Sequence, residues 1–306
     1  MSTRTFDYAQ VNVFAERPLE GNQLAIFTDA RGLSTAEMQA LARETNFAET
    51  TFILPRSEAP DEAQEREHGV QVRIFTVQEE LPFAGHPTLG TAAWLYLHYP
   101  PLRGATEITL DLKVGPIPVT FRAPQPGELG VYAAMRQQDP VFGTMHDPAE
   151  IAAALGLTLD DLDPGKPIQT VSTGMAFCIV PLRSLAVSKR LAIVQATAQR
   201  YLDRSGAKFF YCIAPADPSS GADWHNRMQF YNGEDPATGS ASGCAIAYLV
   251  RHGFAQSGSP VVFEQGVEML RPSRIDVQAS LMGDIVSGVV VGGRTIPVAT
   301  GRFFLP

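Results

Sequence analysis

Gly233-Glu234-Asp235-Pro236-Ala237-Thr238-Gly239-Ser240-Ala241-Ser242-Gly243 is a tight, glycine-rich turn. It runs straight into an apolar stretch, Cys244-Ala245-Ile246-Ala247-Tyr248-Leu249-Val250, which has the composition of a buried helix. An earlier turn matches it: Glu80-Leu81-Pro82-Phe83-Ala84-Gly85-His86-Pro87, feeding Thr91-Ala92-Ala93-Trp94-Leu95-Tyr96-Leu97. Adding 154 to the first set of numbers gives the second without a gap. Arg73 falls on Arg227, Glu80 on Glu234, Pro82 on Pro236, Gly85 on Gly239, His86 on Ser240 and Trp94 on Tyr248. The chain therefore reads as two related halves, each aiming a strand-turn-helix at a shared site.

The bulk composition fits that reading. The 306 residues suffice for two domains of about 150 residues each. At 45% hydrophobic and 18% charged, the chain is expected to be well packed rather than disordered. A net charge of -8 argues against a nucleic-acid scaffold, which carries a basic footprint. The three cysteines, Cys178, Cys212 and Cys244, are odd in number, widely spaced and free of any CxxC. That excludes a disulfide framework or a zinc site, and their apolar surroundings make them small buried hydrophobes. The first residues lack the apolar core of a secretion signal, and no apolar run reaches 18 residues. A cytoplasmic protein is expected, with neither a membrane nor a nucleic-acid partner.

Taken in order, Phe6–Phe14 reads as a strand, Gly21-Asn22-Gln23 as a turn and Leu24–Phe27 as a second strand. Ser34 and Glu37 have the spacing of a capping box and open a helix that keeps its period to about Asn46, with Leu33 placed to staple onto Met38. A strand over Phe47–Pro55, entered through a short turn, follows, then a polar loop over 56–68, a strand over Val70–Val77, the first glycine turn and a helix to His98. Residues 108–121 suggest a hairpin, and the Pro- and Gly-rich stretch 123–128 marks the domain boundary, giving domains 1–124 and 125–292. In the second half Asp147 caps a helix with Pro148 at its first position, one helix is expected over about 188–204, and a strand over 209–214. Gly174 echoes Gly21 with an offset of 153. Many short strands around one apolar helix per half, without strict βαβ alternation, indicate an α+β fold.

Several residues have chemistry to offer. Glu49 is the only acid in an apolar stretch, and desolvation suits a carboxyl to general acid or base work; the alternative is a strand-edge Glu facing water. The matching strand Phe209–Pro215 has no acid at the corresponding place. His86 and Ser240 each follow a glycine at a helix start, where backbone N–H groups bind anions. For Ser240 the plainer role is an N-cap, and for His86 a satisfied structural imidazole. Asp235 before Pro236 fits an Asx turn as well as an acid/base partner for His86. Asn22 fits a substrate contact or turn support. No GxGxxG, GxxxxGK[ST], HExxH, EF-hand or GxSxG pattern is present, so no cofactor and no metal is expected.

These residues carry a family pattern. The sequence resembles the PhzF-like family of phenazine-biosynthesis isomerases, which shares its two-domain fold with diaminopimelate epimerase and proline racemase. The resemblance spans nearly the whole chain. It rests on Asn12-Val13-Phe14, Gly21-Asn22-Gln23-Leu24-Ala25, Ala48-Glu49-Thr50, Arg73-Ile74-Phe75-Thr76, Glu80–Pro87 and Glu234–Ala241, with Gln265-Gly266 and Arg271-Pro272-Ser273 later on. It implies an antiparallel, barrel-like sheet wrapped around a central helix in each domain, a site in the cleft between them, and a last strand, about 293–306, that returns to the first domain. It also implies a homodimer without cofactor or metal. By the same resemblance Glu49 is the catalytic acid/base, His86, Asp235 and Ser240 line the site, and the amides of Gly85 and Gly239 hold a substrate carboxylate. Two positions depart from the family pattern: Ala48, where Ser is usual, and Leu270, where Gly is usual before the Arg-Pro-Ser block.

The epimerase relatives place a thiol just before the glycine of each turn. Here those positions are Ala84 and Thr238, neither an acid nor a base, which disfavours two-thiol racemisation. The expected function is proton movement within a small unsaturated carboxylate, such as a dihydro-hydroxyanthranilate. The alternatives are isomerisation or epimerisation of another metabolite, and a catalytically silent small-molecule binder of the same fold.

Overall fold

The computed structural model describes residues 3–56, 65, 67–231 and 233–306. The chain divides into two compact units, Met1–Met135 with Gly292–Pro306, and Arg136–Val291. The first boundary thus falls beyond the expected 124/125. Most of the polar stretch 56–68, expected as a loop, lies outside the described residues.

In the first unit, β1 (Arg4–Val13), β2 (Asn22–Phe27), α1 (Thr35–Thr45), β3 (Glu49–Leu54), β4 (Val70–Phe75), β5 (Glu80–Leu81), α2 (Gly85–His98), β6 (Glu107–Leu112), β7 (Gly115–Arg122) and β8 (Val131–Arg136) follow in order. The long strand β17 (Ile285–Leu305) brings the chain back. Its pairing with β1 runs from Arg4↔Leu305 to Val13↔Thr295. The strands pair as β17–β1–β2–β3–β4–β6–β7–β8, and β8 pairs with β17 again, so the ring closes. Closure removes the exposed sheet edges that an open sheet would carry. The Pro- and Gly-rich stretch 123–128 is therefore the link between β7 and β8 of one barrel, not the border between domains.

α2 is the axle of this barrel, buried along ten of its residues from Gly85 to Leu95. Gly90 is needed there, since a Cβ would sit 2.7 Å from both Leu24 and Val13 of the surrounding strands. α1 lies outside the barrel and opens with the expected capping box between Ser34 and Glu37. Such a cap contributes about 1 kcal/mol. Its Met38, Leu41 and Ala42 join Phe6, Phe27, Phe52 and Phe75 in a second core cluster.

The second unit repeats the plan. It holds β9 (Val141–Met145), α3 (Pro148–Leu155), β10 (Gln169–Ser172), β11 (Ala176–Pro181), α4 (Leu185–Lys189), α5 (Gln195–Ser205), β12 (Phe209–Pro215), β13 (Trp224–Phe230), β14 (Gly233–Asp235), α6 (Gly239–Arg251), β15 (Val261–Gln265) and β16 (Ser273–Met282). The pairings β10–β11 to β15–β16 reproduce β1–β2 to β6–β7 in order and in direction. Each unit keeps two parallel pairs within an otherwise antiparallel sheet: β2–β3 and β4–β6 in one, β11–β12 and β13–β15 in the other. The single helix expected over 188–204 is two helices, α4 and α5. The break has a cause. Arg227 takes the carbonyls of Ser188 and Leu191, and the Gln229 side chain holds Leu191 O and Ile193 N, so side chains replace helical bonds there.

The repeat extends to side chains. Arg73 on β4 grips Glu80 of β5 through two bonds of 2.8 Å. Arg227 on β13 grips Glu234 of β14 through bonds of 2.7 and 2.6 Å. Both forks tie a strand to the mouth of its turn with the planar geometry that guanidinium and carboxylate share. Among the described residues no helix is long and apolar enough to cross a membrane.

Candidate active site

The first unit gathers three of the residues singled out from sequence. Gly21, with φ +68°, turns the chain between β1 and β2 so tightly that a Cβ would lie 2.3 Å from the carbonyl oxygen of Val13. Only glycine tolerates both the dihedral and the approach. The turn sets Asn22 at the start of β2, on the face that looks at α2, and its side-chain nitrogen lies 3.3 Å from Nδ1 of His86. Asn22 is thus a strand residue touching the imidazole, not merely a support for the turn. Glu49 begins β3, the next strand over, with Leu24↔Glu49 as the pairing that fixes its height. Its Oε2 lies 3.6 Å from Nε2 of His86.

Both side chains are largely withdrawn from water, with 18% of the Glu49 side chain and 7% of the His86 side chain exposed. The sequence alternative of a solvent-facing Glu does not apply. Burial pushes the His86 pKa down to about 3, against the smaller support of a backbone hydrogen bond at Gln23. The ring is therefore neutral at physiological pH. A neutral imidazole beside a carboxyl makes no permanent ion pair with it.

The second unit supplies the other turn. Ser240, expected as a possible N-cap, is instead the second residue of α6, whose cap is Thr238. Neither Ala84 before α2 nor Thr238 before α6 caps its helix with a side chain. The first backbone N–H groups of each helix, at Gly85 and Gly239, therefore keep the character of an anion-binding end. Asp235 ends β14 and accepts a hydrogen bond of 2.6 Å from the Thr238 hydroxyl. His86 and Asp235, paired in the sequence reading, belong to different units.

Sequence reasoning passed over the residues that brace this second turn. Gln265, fully buried at the end of β15, donates to the Asp235 carbonyl at 2.8 Å and to Thr238 Oγ1 at 2.9 Å. Its amide oxygen accepts from the Thr238 backbone N–H and from the Tyr211 hydroxyl. Ser273 donates to the Pro236 carbonyl at 2.7 Å, and Gly266 passes so close that a Cβ would meet Pro236 O at 2.7 Å. The only sequence signal was the Gln-Gly and Arg-Pro-Ser blocks, whose spacing says nothing of the turn they touch. Cys178, Cys212 and Cys244 are free and fully buried, and burial pushes the thiol of Cys244 up to about 11, so it is inert. Among the described residues no cluster of His, Cys, Asp and Glu is arranged to hold a metal ion.

The model of the phenazine biosynthesis-like proteins (PhzC-PhzF) matches residues 11–301. A trans-2,3-dihydro-3-hydroxyanthranilate isomerase of Pseudomonas aeruginosa is 35% identical over 301 residues, covering 97% of this chain and 99% of that one. Among solved structures, a predicted epimerase from Pseudomonas aeruginosa is 38% identical and superposes with a TM-score of 0.80 over 97% of this chain and 99% of its own. A probable proline racemase from Agrobacterium radiobacter superposes with a TM-score of 0.62 over 98% of this chain and 93% of its own; at 12% identity the likeness is one of fold.

Proposed function

Because the chain belongs to the phenazine biosynthesis-like (PhzC-PhzF) family of isomerases, we propose that it is a cofactor-independent isomerase that moves a proton within a small unsaturated carboxylate. Glu49 is the acid and base. Its carboxylate takes a proton from a carbon made acidic by conjugation, the electron pair spreads through the conjugated system, and the new carboxylic acid returns the proton to another carbon of the same molecule. The uncapped start of α2 at Gly85 offers its N–H groups to the substrate carboxylate and to the charge that builds up, as an oxyanion hole does, and the start of α6 at Gly239 has the same character in its own unit. His86 stands beside Glu49, Asn22 orients the imidazole, and Asp235 and Ser240, by the family resemblance, serve the same reaction. We take the homodimer and the cytoplasmic location as part of the same proposal.

The observation that carries the reading is the buried pair of Glu49 and a neutral His86, 3.6 Å apart on a strand and a helix of one barrel. What supports it is a carboxyl withdrawn from water beside a polar group that sets no fixed positive charge against it. The substrate class follows the 35% identical relative, whose name specifies trans-2,3-dihydro-3-hydroxyanthranilate. A second reading, epimerisation of a different metabolite by the same Glu49, draws on the 38% identical neighbour that is called a predicted epimerase.

The test is proton NMR in D2O with trans-2,3-dihydro-3-hydroxyanthranilate and a panel of unsaturated and amino carboxylates. Isomer formation, or deuterium uptake that vanishes in Glu49→Gln, is the expected result. Glu49→Gln should lose about two to four powers of ten in turnover while keeping its melting temperature. Undiminished turnover in that variant refutes the role of Glu49. Ligand-induced shifts in protein signals with no chemical change would make the protein a binder.

A further inference from the structure

Resting on that reading, we propose that Thr238 and Gln265 are positioning residues that fix the Asp235 carboxylate in place as a hydrogen-bond acceptor, leaving proton movement to Glu49. The argument is one of donors and acceptors. The Gln265 amide can be oriented only one way, because each end faces a backbone group of known sense. Its oxygen lies 3.2 Å from the Thr238 N–H, which only donates. Its nitrogen lies 2.8 Å from the Asp235 carbonyl, which only accepts. The second proton on that nitrogen goes to Thr238 Oγ1, 2.9 Å away. Thr238 Oγ1 is thereby an acceptor from Gln265, and its own proton must point elsewhere. Two acceptors are in reach: the Asp235 carboxylate at 2.6 Å and the sulfur of Met228 at 3.4 Å. The shorter, charge-assisted bond to the carboxylate wins. Tyr211, fully buried, closes the chain by donating to Gln265 Oε1 at 2.9 Å.

The internal repeat separates this role from mere support of the turn. The first half builds the same strand-turn-helix with Leu81 at the place of Asp235 and Ala84 at the place of Thr238. The parallel pairings β4–β6 and β13–β15 extend the comparison. Val70↔Leu110 corresponds to Trp224↔Phe263, which puts Leu112 at the place of Gln265. Asp235, Thr238 and Gln265 of the second half are thus apolar residues in the first. The turn and its helix form there regardless, held by the same arginine–glutamate fork and by the Thr88 hydroxyl on the Ala84 carbonyl, which Ser242 on Thr238 repeats. The buried polar chain is therefore not what the turn needs in order to fold. Burying a glutamine costs unless every donor and acceptor is met, and here both ends are spent on the residue that presents Asp235 and on the one that grips its side chain.

Crystal structures and kinetics of Thr238→Val, Thr238→Ser, Gln265→Glu and the double variant Thr238→Val/Gln265→Glu test this. Gln265→Glu keeps the shape but exchanges a donor for an acceptor, so the Thr238 hydroxyl turns toward residue 265 and lets Asp235 go. The Asp235 carboxylate is expected to leave its position in Thr238→Val and Gln265→Glu and to keep it in Thr238→Ser. With trans-2,3-dihydro-3-hydroxyanthranilate, kcat should fall about ten- to a hundredfold in the first two variants, as for a displaced catalytic group, with KM changed much less. Thr238→Ser should recover most of the loss, and the double variant should be no worse than either single. An Asp235 carboxylate unmoved in both Thr238→Val and Gln265→Glu overturns the proposal. So does a Thr238→Ser variant as impaired as Thr238→Val. If the native protein leaves that compound unchanged, the proposed substrate fails instead, and the carboxylate's position in the crystals still decides the role of Thr238 and Gln265.

Discussion

Titrating His225 is expected to remove about 3 kcal/mol of stability between pH 6.5 and pH 9.5. His225 on β13 has no exposed side-chain surface. Its Nδ1 lies 2.8 Å from Glu264 of β15 and its Nε2 lies 3.1 Å from Glu268 in the short turn that follows. Burial alone would neutralise the ring, but the two carboxylates outweigh it and raise the pKa to about 9. Glu268 is in turn held below its usual range by the hydrogen bond and charge of His225, against its own desolvation. A group whose folded pKa stands above its unfolded value stabilises the fold fully below the unfolded value, 6.5, and loses that contribution as pH rises through the folded one. At about 1.4 kcal/mol per unit, a rise from 6.5 to about 9 is worth about 3 kcal/mol. The assay is urea unfolding from pH 6 to pH 10 on the native protein and on His225→Gln. At pH 6 the variant should be the less stable by about 3 kcal/mol or more, because Glu264 and Glu268 lose the imidazolium between them and Glu268 keeps only Arg227, 3.7 Å away. The gap should then narrow steadily and be mostly closed by pH 10. A gap that stays constant across this range refutes the protonated imidazole and with it the electrostatic account of the cluster.

Four further substitutions test the packing and the backbone. Gly90→Ala gains about 1 kcal/mol of helix propensity but presses a methyl into Leu24 and Val13, a clash worth about 1–3 kcal/mol; thermal unfolding should show a net loss of up to about 2 kcal/mol. Leu270 stands with φ +58° and 88% exposed, the departure from the family's glycine noted in the sequence. Relieving a left-handed leucine returns about 1–2 kcal/mol and the freer unfolded chain takes back about 0.5–1, so Leu270→Gly should stabilise by up to about 1.5 kcal/mol, read as a higher melting temperature. Arg227→Lys should cost more than Arg73→Lys, about 2–4 against about 1 kcal/mol by chemical denaturation. The two forks share a geometry, but only 5% of the Arg227 side chain is exposed against 25% of Arg73, and Arg227 also holds the carbonyls that part α4 from α5.

Much of the fold was legible because it is written twice. The 154-residue offset that aligned Arg73 with Arg227 and Glu80 with Glu234 in sequence reappears as two identical ion-pair forks at two identical strand pairs. Capping chemistry was legible too, because Ser34 with Glu37 and Asp147 with Pro148 act within one turn of chain. What escaped was long-range. The break between α4 and α5 is imposed by Arg227 and Gln229, more than thirty residues away in sequence, on a segment whose own period reads as one helix. The domain border moved because residues 123–128 have turn composition, and composition cannot tell a link within a barrel from a link between barrels. At the site, Glu49, His86 and Asn22 were legible as residue types in unusual surroundings. Gln265 was not, since nothing local to Val261–Gln265 reveals which turn its amide will meet.

The repeat also bears on how one fold arrives at one-sided chemistry. Pairing Leu24↔Glu49 in the first unit answers Phe177↔Phe209 in the second, so the strand position that carries the acid in one half carries an aromatic ring in the other. Conversely, the turn that carries Asp235 in the second half carries Leu81 in the first. Two-base racemisation through repeat-related positions needs an acid/base at both of them, because the proton leaves one face of the carbon and a new one arrives at the other. Here the equivalents of Glu49 and of Asp235 are Phe209 and Leu81, and the positions before the turn glycines are Ala84 and Thr238. No pair of related positions among these offers two proton carriers. A duplicated fold that keeps the helix start of each half but an acid at Glu49 only in the first and at Asp235 only in the second is what the proposed single-carboxyl proton transfer requires.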